Sequence, residues 1–246
     1  MGVREEPAGG RHQPRSQGVA LDPAAAELYE RMSGAYGTRR SDTVLRALDI
    51  VISGVVLLAL SPVLALVALL VLVTSGPPVL YRGERVGRGA RTFTMFKFRT
   101  LRRGAENRLG NRYGEELTRF TAEETTWIGR PLRAAHLDEI PQLWNVLKGD
   151  MSIVGPRPIR PAFLAEVSRE VPQYWQRLVV RPGVTGFAQT RITREEAWEY
   201  KLAHDLEYIA DRSVGLYLRV IVATAARVLH LSVRGGIEQV RAVRGQ

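Results

Sequence analysis

Ile50-Val51-Ile52-Ser53-Gly54-Val55-Val56-Leu57-Leu58-Ala59-Leu60-Ser61-Pro62-Val63-Leu64-Ala65-Leu66-Val67-Ala68-Leu69-Leu70-Val71-Leu72-Val73 is a run of twenty-four uncharged residues, broken in its apolar character only by Ser53, Gly54, Ser61 and Pro62. As a straight helix rising ~1.5 Å per residue it would reach roughly 36 Å, enough to cross a bilayer core. Pro62 argues against a straight helix, because proline lacks the backbone donor and kinks the chain near the middle of the run. The flanks argue the same way: Arg39, Arg40 and Arg46 precede the run, and Arg82, Arg85, Arg88 and Arg91 follow it. A span would leave one basic cluster outside, against the positive-inside tendency. A helix broken at Ser61-Pro62 that dips in and returns keeps both clusters in the cytoplasm. On hydropathy alone an ordinary kinked span is commoner, and a buried helix of a soluble core comes third.

Working outward, charge concentrates directly after this segment. The 246 residues carry 35 Lys+Arg against 25 Asp+Glu, a net of +10. Residues 1–43 and 44–80 are each neutral, whereas residues 81–133 hold thirteen basic residues against six glutamates. A basic block beside a membrane segment points to anionic head groups or phosphorylated substrates. Nucleic acid ranks lower as a partner, since no helix-turn-helix, zinc-finger or stacked-aromatic signature accompanies the charge. The chain has no cysteine, which excludes disulfides, thiolate nucleophiles and Cys-based metal centres. Its four histidines, His12, His136, His204 and His230, fall at no metal-ligand spacing. No cleavable signal peptide opens the chain, which disfavours a soluble secreted protein.

The organisation expected is a disordered tail over 1–40 with a nascent helix at Pro23–Met32, a membrane-inserted helix over 41–76, and a catalytic domain over 77–246. The fold class is α+β and helix-rich. Val79–Arg82 and Thr92–Arg99 read as a hairpin around turn glycines Gly87 and Gly89. Residues 102–126 read as surface helix or loop. Ile140, Leu143, Trp144 and Leu147 follow i, i+3, i+4, i+7, predicting an amphipathic helix closed by Gly149. Further helices are expected at Pro161–Val171, Arg194–Ala210 and Leu216–Val233, the last against the membrane.

Asp138-Glu139 is the first candidate for chemistry. Neighbouring carboxylates in a first turn beside Pro141 can face one pocket, and at an ordinary pKa near ~4 an aspartate is ionised at neutral pH and nucleophilic without a base. A divalent cation would relieve repulsion between the pair and incoming phosphates. Helix-dipole stabilisation is the bland reading of two such acids. Arg130 and Arg133 precede the dyad, and Gly155-Pro156-Arg157-Pro158 follows it, where two prolines stiffen the backbone around a guanidinium fork. Arg181-Pro182-Gly183-Val184-Thr185-Gly186 is a second rigid loop suited to close backbone approach. Carboxylates, fixed arginines and a membrane helix together point to phosphoryl transfer to a lipid.

These stretches resemble the small bacterial sugar transferases, the monotopic polyprenol-phosphate phosphoglycosyl transferases. The resemblance rests on Leu60-Ser61-Pro62, Tyr81–Arg91 with Phe93 and Lys97-Phe98-Arg99-Thr100, His136–Leu143, Asn145–Ser152, Val154–Pro158 and Arg181–Gly186, covering about residues 44–224. It implies a re-entrant helix at the cytoplasmic face of the inner membrane. It also implies a Mg2+-dependent ping-pong reaction between a nucleotide diphosphate sugar (a UDP-sugar for choice) and polyprenol phosphate, initiating a surface glycan. Asp138 would carry the phosphosugar, with Asp138 and Glu139 holding the metal and Glu139 assisting acceptor deprotonation. Arg133, Arg157 and Arg181 would bind phosphate. A homodimer is compatible with this picture. The chain departs from the family where a substrate-binding arginine is replaced by Thr193, so that Arg191 or Arg194 would have to substitute, and where His136 stands for a small hydroxyl residue. The non-enzyme alternative is a basic membrane-anchored scaffold or nucleic-acid-binding protein.

Overall fold

The computed structural model describes residues 23–36, 39–110, 112, 114–191 and 197–228. Helix α1 (Pro23–Tyr36) lies in the stretch expected to be tail, and it is longer than the nascent helix anticipated. It has something to pack on: Tyr29 and Met32 cover a cluster that includes Trp175 and Leu178, and the Tyr29 and Trp175 rings meet edge-on at 6.2 Å.

The apolar run forms two helices, α2 (Arg40–Ala59) and α3 (Ser61–Ser75), bent by 63°. The break follows from the missing N–H of Pro62, which leaves the Leu58 carbonyl without its helical donor. The Ser61 hydroxyl donates to that carbonyl at 2.8 Å instead. No single helix among the described residues is long and apolar enough to cross a membrane, although the bent pair together has the length and composition. The N-terminal half of α2 is docked on the body by buried polar contacts. Asp49 accepts from the Ile153 amide at 2.8 Å and the Tyr217 hydroxyl at 2.9 Å, and Arg212 grips Asp42 with two bonds of 2.9 Å. Beyond Ser53 the contacts thin out. Val55, Leu58, Leu66, Leu69 and Val73 are exposed, the last at 75%, while Val67 and Val71 seat α3 on Phe98, Ile128 and Leu132.

The expected hairpin is present as β1 (Leu80–Val86) and β2 (Thr92–Phe98), antiparallel with Tyr81 opposite Lys97. Residues 102–126 contain the short helices α4 (Ala105–Leu109) and α5 (Gly114–Glu124), followed by α6 (Gly129–Ala134). Helix α7 (Gln142–Lys148) ends at Gly149, whose φ of 90° is the left-handed cap position glycine tolerates. Its buried face differs from the one the apolar spacing implies: Trp144 is 55% exposed, whereas Asn145 and Val146 are fully buried. Asn145 is held there by polar satisfaction. Its Nδ2 donates to the Thr94 carbonyl at 2.7 Å and its Oδ1 accepts from the Phe96 amide at 3.0 Å, which ties α7 to β2.

Strand β3 (Ser152–Val154) pairs in parallel with β4 (Gly183–Thr185), with α8 (Pro161–Glu170) and a 3-10 segment (Pro172–Val179) between them. Helices α9 (Phe187–Arg191) and α10 (Trp198–Asp211) follow, and residues 214–228 form α11. The start of the helix expected at Arg194 and the end of the one expected at Val233 lie outside the described residues. The observed architecture is the α+β, helix-rich fold expected.

Candidate active site

Two adjacent carboxylates, Asp138 and Glu139, define the centre of the site. Helix α6 stops at Ala134, and His136 adopts a left-handed conformation at φ 55°. Histidine is among the residues that visit this region, at a conformational cost. The reversal feeds a 3-10 turn over Leu137–Glu139 that carries both carboxylates. Asp138 is only 8% exposed. Among the described residues no donor bonds its carboxylate. Burial pushes its pKa up, the Lys97 ammonium pulls it down, and the Glu139 charge adds to the rise.

Glu139 differs. Its Oε1 accepts from Lys97 Nζ at 2.5 Å and from Arg157 Nη2 at 3.5 Å, with Lys97 and Glu139 side chains each 18% exposed. Burial alone would raise its pKa, but the Lys97 and Arg157 charges outweigh it and hold the carboxyl at about 2. Lys97 is pushed down by its own burial, with Glu139 acting against that. The adjacent carboxylates are therefore unlike: one ion-paired and strongly acidic, the other buried, unbonded and more basic than usual. Neighbouring groups with opposed environments are a common sign of divided chemical roles.

Arg157 is presented by interlocked backbone. Gly155 donates to the Thr185 carbonyl and Gly183 to the Pro156 carbonyl, each at 2.9 Å. A Cβ on Gly155 would lie 2.5 Å from the Arg181 carbonyl oxygen, so only glycine allows the two loops to meet. Below them, buried Arg177 donates to the Arg157 carbonyl at 3.0 Å and pairs with Asp205 at 2.8 Å.

Of the sequence candidates, Asp138, Glu139 and Arg157 are brought together, and the Arg133 charge acts on Asp138. Arg181 serves elsewhere: its Nε donates to the Gly149 carbonyl at 2.9 Å, and the charges acting on it belong to Arg46, Arg88, Asp49 and Asp42. A helix end captures that guanidinium. Arg191 stacks over Phe187 at 4.0 Å and pairs with Glu207 at 3.3 Å. Arg194 and Thr193 lie outside the described residues. Ser61 and Pro62 form the helix break, as expected. Lys97 was missing from the expected site. Its signal is a lysine inside the apolar strand Phe93–Phe98, in a chain with only three lysines.

No cluster of three or more metal-ligating side chains exists among the described residues. Mg2+ does not require one, because it commonly binds through one or two carboxylates plus substrate phosphates. Both bonds to Glu139 fall on Oε1, leaving Oε2 and the Asp138 carboxylate as oxygens without a bonded partner among the described residues. That donor set fits such an ion.

The profile of the family described as bacterial sugar transferase matches residues 40–231. A UDP-N-acetylgalactosamine-undecaprenyl-phosphate N-acetylgalactosaminephosphotransferase of Aeromonas hydrophila is 33% identical over 189 residues, covering 76% of this chain and 44% of that protein. A UDP-glucose:undecaprenyl-phosphate glucose-1-phosphate transferase of Caulobacter vibrioides is 35% identical over 219 residues, covering 86% and 79%. The exopolysaccharide production protein PSS of Rhizobium leguminosarum is 38% identical over 197 residues, covering 76% and 96%. The chain spans less than half the length of the Aeromonas relative.

Proposed function

Because the chain belongs to the bacterial sugar transferase family, we propose that it transfers a sugar phosphate from a nucleotide diphosphate sugar to polyprenol phosphate, at the cytoplasmic face of the inner membrane. The relatives are named for UDP-sugar donors and undecaprenyl phosphate, and the same classes are proposed here. The observation that carries the reading is the unlike carboxylate pair: Asp138 buried without a bonded partner, beside Glu139 held by Lys97 and Arg157.

The mechanism follows from that division. An Asp138 oxygen attacks the phosphorus bonded to the sugar; the new O–P bond forms as the bond to the bridging oxygen breaks, and UMP leaves with the electron pair. A polyprenol phosphate oxygen then attacks the same phosphorus, and the Asp138 carboxylate is released. The raised basicity of a buried Asp138 favours attack. Glu139, kept ionised by Lys97 and Arg157, orients those two cations toward the incoming phosphates. Arg157 and Arg133 hold phosphate oxygens. Mg2+, held by Asp138 and Glu139 with the donor phosphates, would neutralise phosphate charge.

The bent helix pair supports a re-entrant seat in the bilayer. Its exposed valines and leucines would contact lipid, and polar docking of α2 by Asp42, Arg46 and Asp49 keeps its N-terminal end with the catalytic body. The direct test is a panel of UDP-sugars assayed for UMP release and for a polyprenol-diphosphate-linked sugar. One productive donor is expected. Absence of nucleotide release across the panel, with salt-sensitive nucleic-acid binding instead, would overturn the reading.

A further inference from the structure

A cationic cavity lies apart from the dyad. It opens where α3 ends, has a volume of about 300 Å³, and is lined by Thr74, Ser75, Arg102, Thr126, Trp127 and Arg130 among others. None of Asp138, Glu139, Lys97 and Arg157 lines it. Its walls are fixed by backbone. The Arg102 amide donates to the Glu124 carbonyl and the Thr126 amide to the Thr100 carbonyl, both at 2.9 Å, and Leu101 bridges Thr125. No carboxylate lines the cavity; nearby Glu124 is paired with Arg108 at 2.7 Å. A helix C-terminus would ordinarily repel an anion. Here Arg99 donates to the carbonyls of Ser75, Gly76 and Pro77 at 2.5–3.0 Å, which offsets that dipole.

The position of the cavity selects its ligand. It adjoins the exposed apolar end of α3, where Val73 is 75% exposed, and Trp127 at its rim is 67% exposed. Tryptophan at the end of an apolar helix favours the level of lipid head groups. Two guanidiniums and an interfacial indole match a phosphate carried on a lipid, while the Thr74, Thr125 and Thr126 hydroxyls donate to backbone carbonyls and shape the wall. We propose that this cavity binds a lipid phosphate through Arg102 and Arg130, as a site separate from the catalytic dyad. Arg130 and Arg133 stand one helical turn apart on α6. The proposal rests on the membrane-seated reading of α2 and α3.

The test is native mass spectrometry of the full chain in neutral detergent, titrated separately with phosphatidylglycerol, polyprenyl monophosphate and phosphatidylcholine. One anionic lipid should bind preferentially over phosphatidylcholine. Arg102→Gln with Arg130→Gln should weaken it about thirtyfold, from the usual contribution of a basic residue to anionic-lipid binding. Arg91→Gln with Arg119→Gln removes equal charge from other exposed positions and should leave binding within about twofold. Response to polyprenyl phosphate alone would assign the acceptor as the source, and response to both lipids a general lipid phosphate; either supports the site. Should the glutamine pair lower the melting temperature, Arg102→Lys with Arg130→Lys, which keeps charge but loses the fork, should still weaken binding severalfold. Equal loss in the control pair, or no loss in either cavity pair, overturns the proposal. Flotation with phosphatidylcholine vesicles is measured alongside. A chain that does not float refutes the membrane-seated reading, whereas a floating chain without arginine-dependent binding refutes the cavity alone.

Discussion

Replacing Lys97 by methionine removes the cation on which both carboxylates depend while keeping much of the side chain's bulk. The fall of the Glu139 pKa from 4.5 to about 2 corresponds to roughly 3 kcal/mol favouring the carboxylate, at about 1.4 kcal/mol per pH unit. Lys97 is the largest of the charges producing that fall, and it also opposes the rise at Asp138. Without it, burial dominates at both residues and both pKa values move up, Glu139 by at least about one pH unit. The sign is fixed by linkage. A depressed Glu139 contributes stability that is present above pH 4.5 and is lost as pH falls toward 2. In Lys97→Met the acid limb of the UMP-release profile should therefore shift to higher pH by at least about one unit, with acid unfolding beginning at higher pH. Initial rates and far-UV circular dichroism across pH 3–8 would measure both. An acid limb that stays in place while the rate falls would refute the electrostatic reasoning and leave Lys97 as a substrate contact only.

Other outcomes follow from the same geometry. Arg133→Ala and Arg157→Ala should each lower turnover by about 10³–10⁵ with the fold intact; near-normal turnover in either variant removes that residue from the site. Asp205→Ala leaves buried Arg177 without its carboxylate and should cost about 3–5 kcal/mol in urea unfolding, whereas an unchanged midpoint would show that the pair does not support the Arg157 loop. Single cysteines at Ser41 and Arg82, in a chain with none of its own, should both be labelled from the cytoplasmic face only. Labelling from opposite faces would establish a span through the bilayer.

Much of this architecture is readable from local patterns. Ser61-Pro62 announces the break because a missing N–H is a local fact, and Gly149 announces the end of α7 for an equally local reason. The dyad is visible because two acids sit beside a proline. What eludes the sequence depends on long-range contact. The apolar spacing of α7 selects Trp144 as a core residue, yet Asn145 takes the buried position because β2 supplies it with a donor and an acceptor. Arg181 carries the same charge and rigidity as Arg157, but the Gly149 carbonyl claims it. Lys97 precedes Glu139 by forty-two residues, and only the packing of β2 against the 3-10 turn Leu137–Glu139 brings their charged atoms to 2.5 Å. The helix at Pro23 runs on to Tyr36, past the expected Pro23–Met32, for a similar reason: composition near Tyr29 does not reveal the Trp175 surface it packs on.

The central claim is that Asp138 forms a covalent bond to the sugar phosphate before the acceptor arrives. Full-length chain mixed with its UDP-sugar and Mg2+, but no polyprenol phosphate, should release one UMP per active site in a burst. Mass spectrometry should then find a phosphosugar on the peptide containing Asp138, and Asp138→Asn should lose both signals. UMP release that strictly requires polyprenol phosphate, under conditions where donor binding is demonstrated, would contradict the account and reduce Asp138 to a ligand of the bound ion.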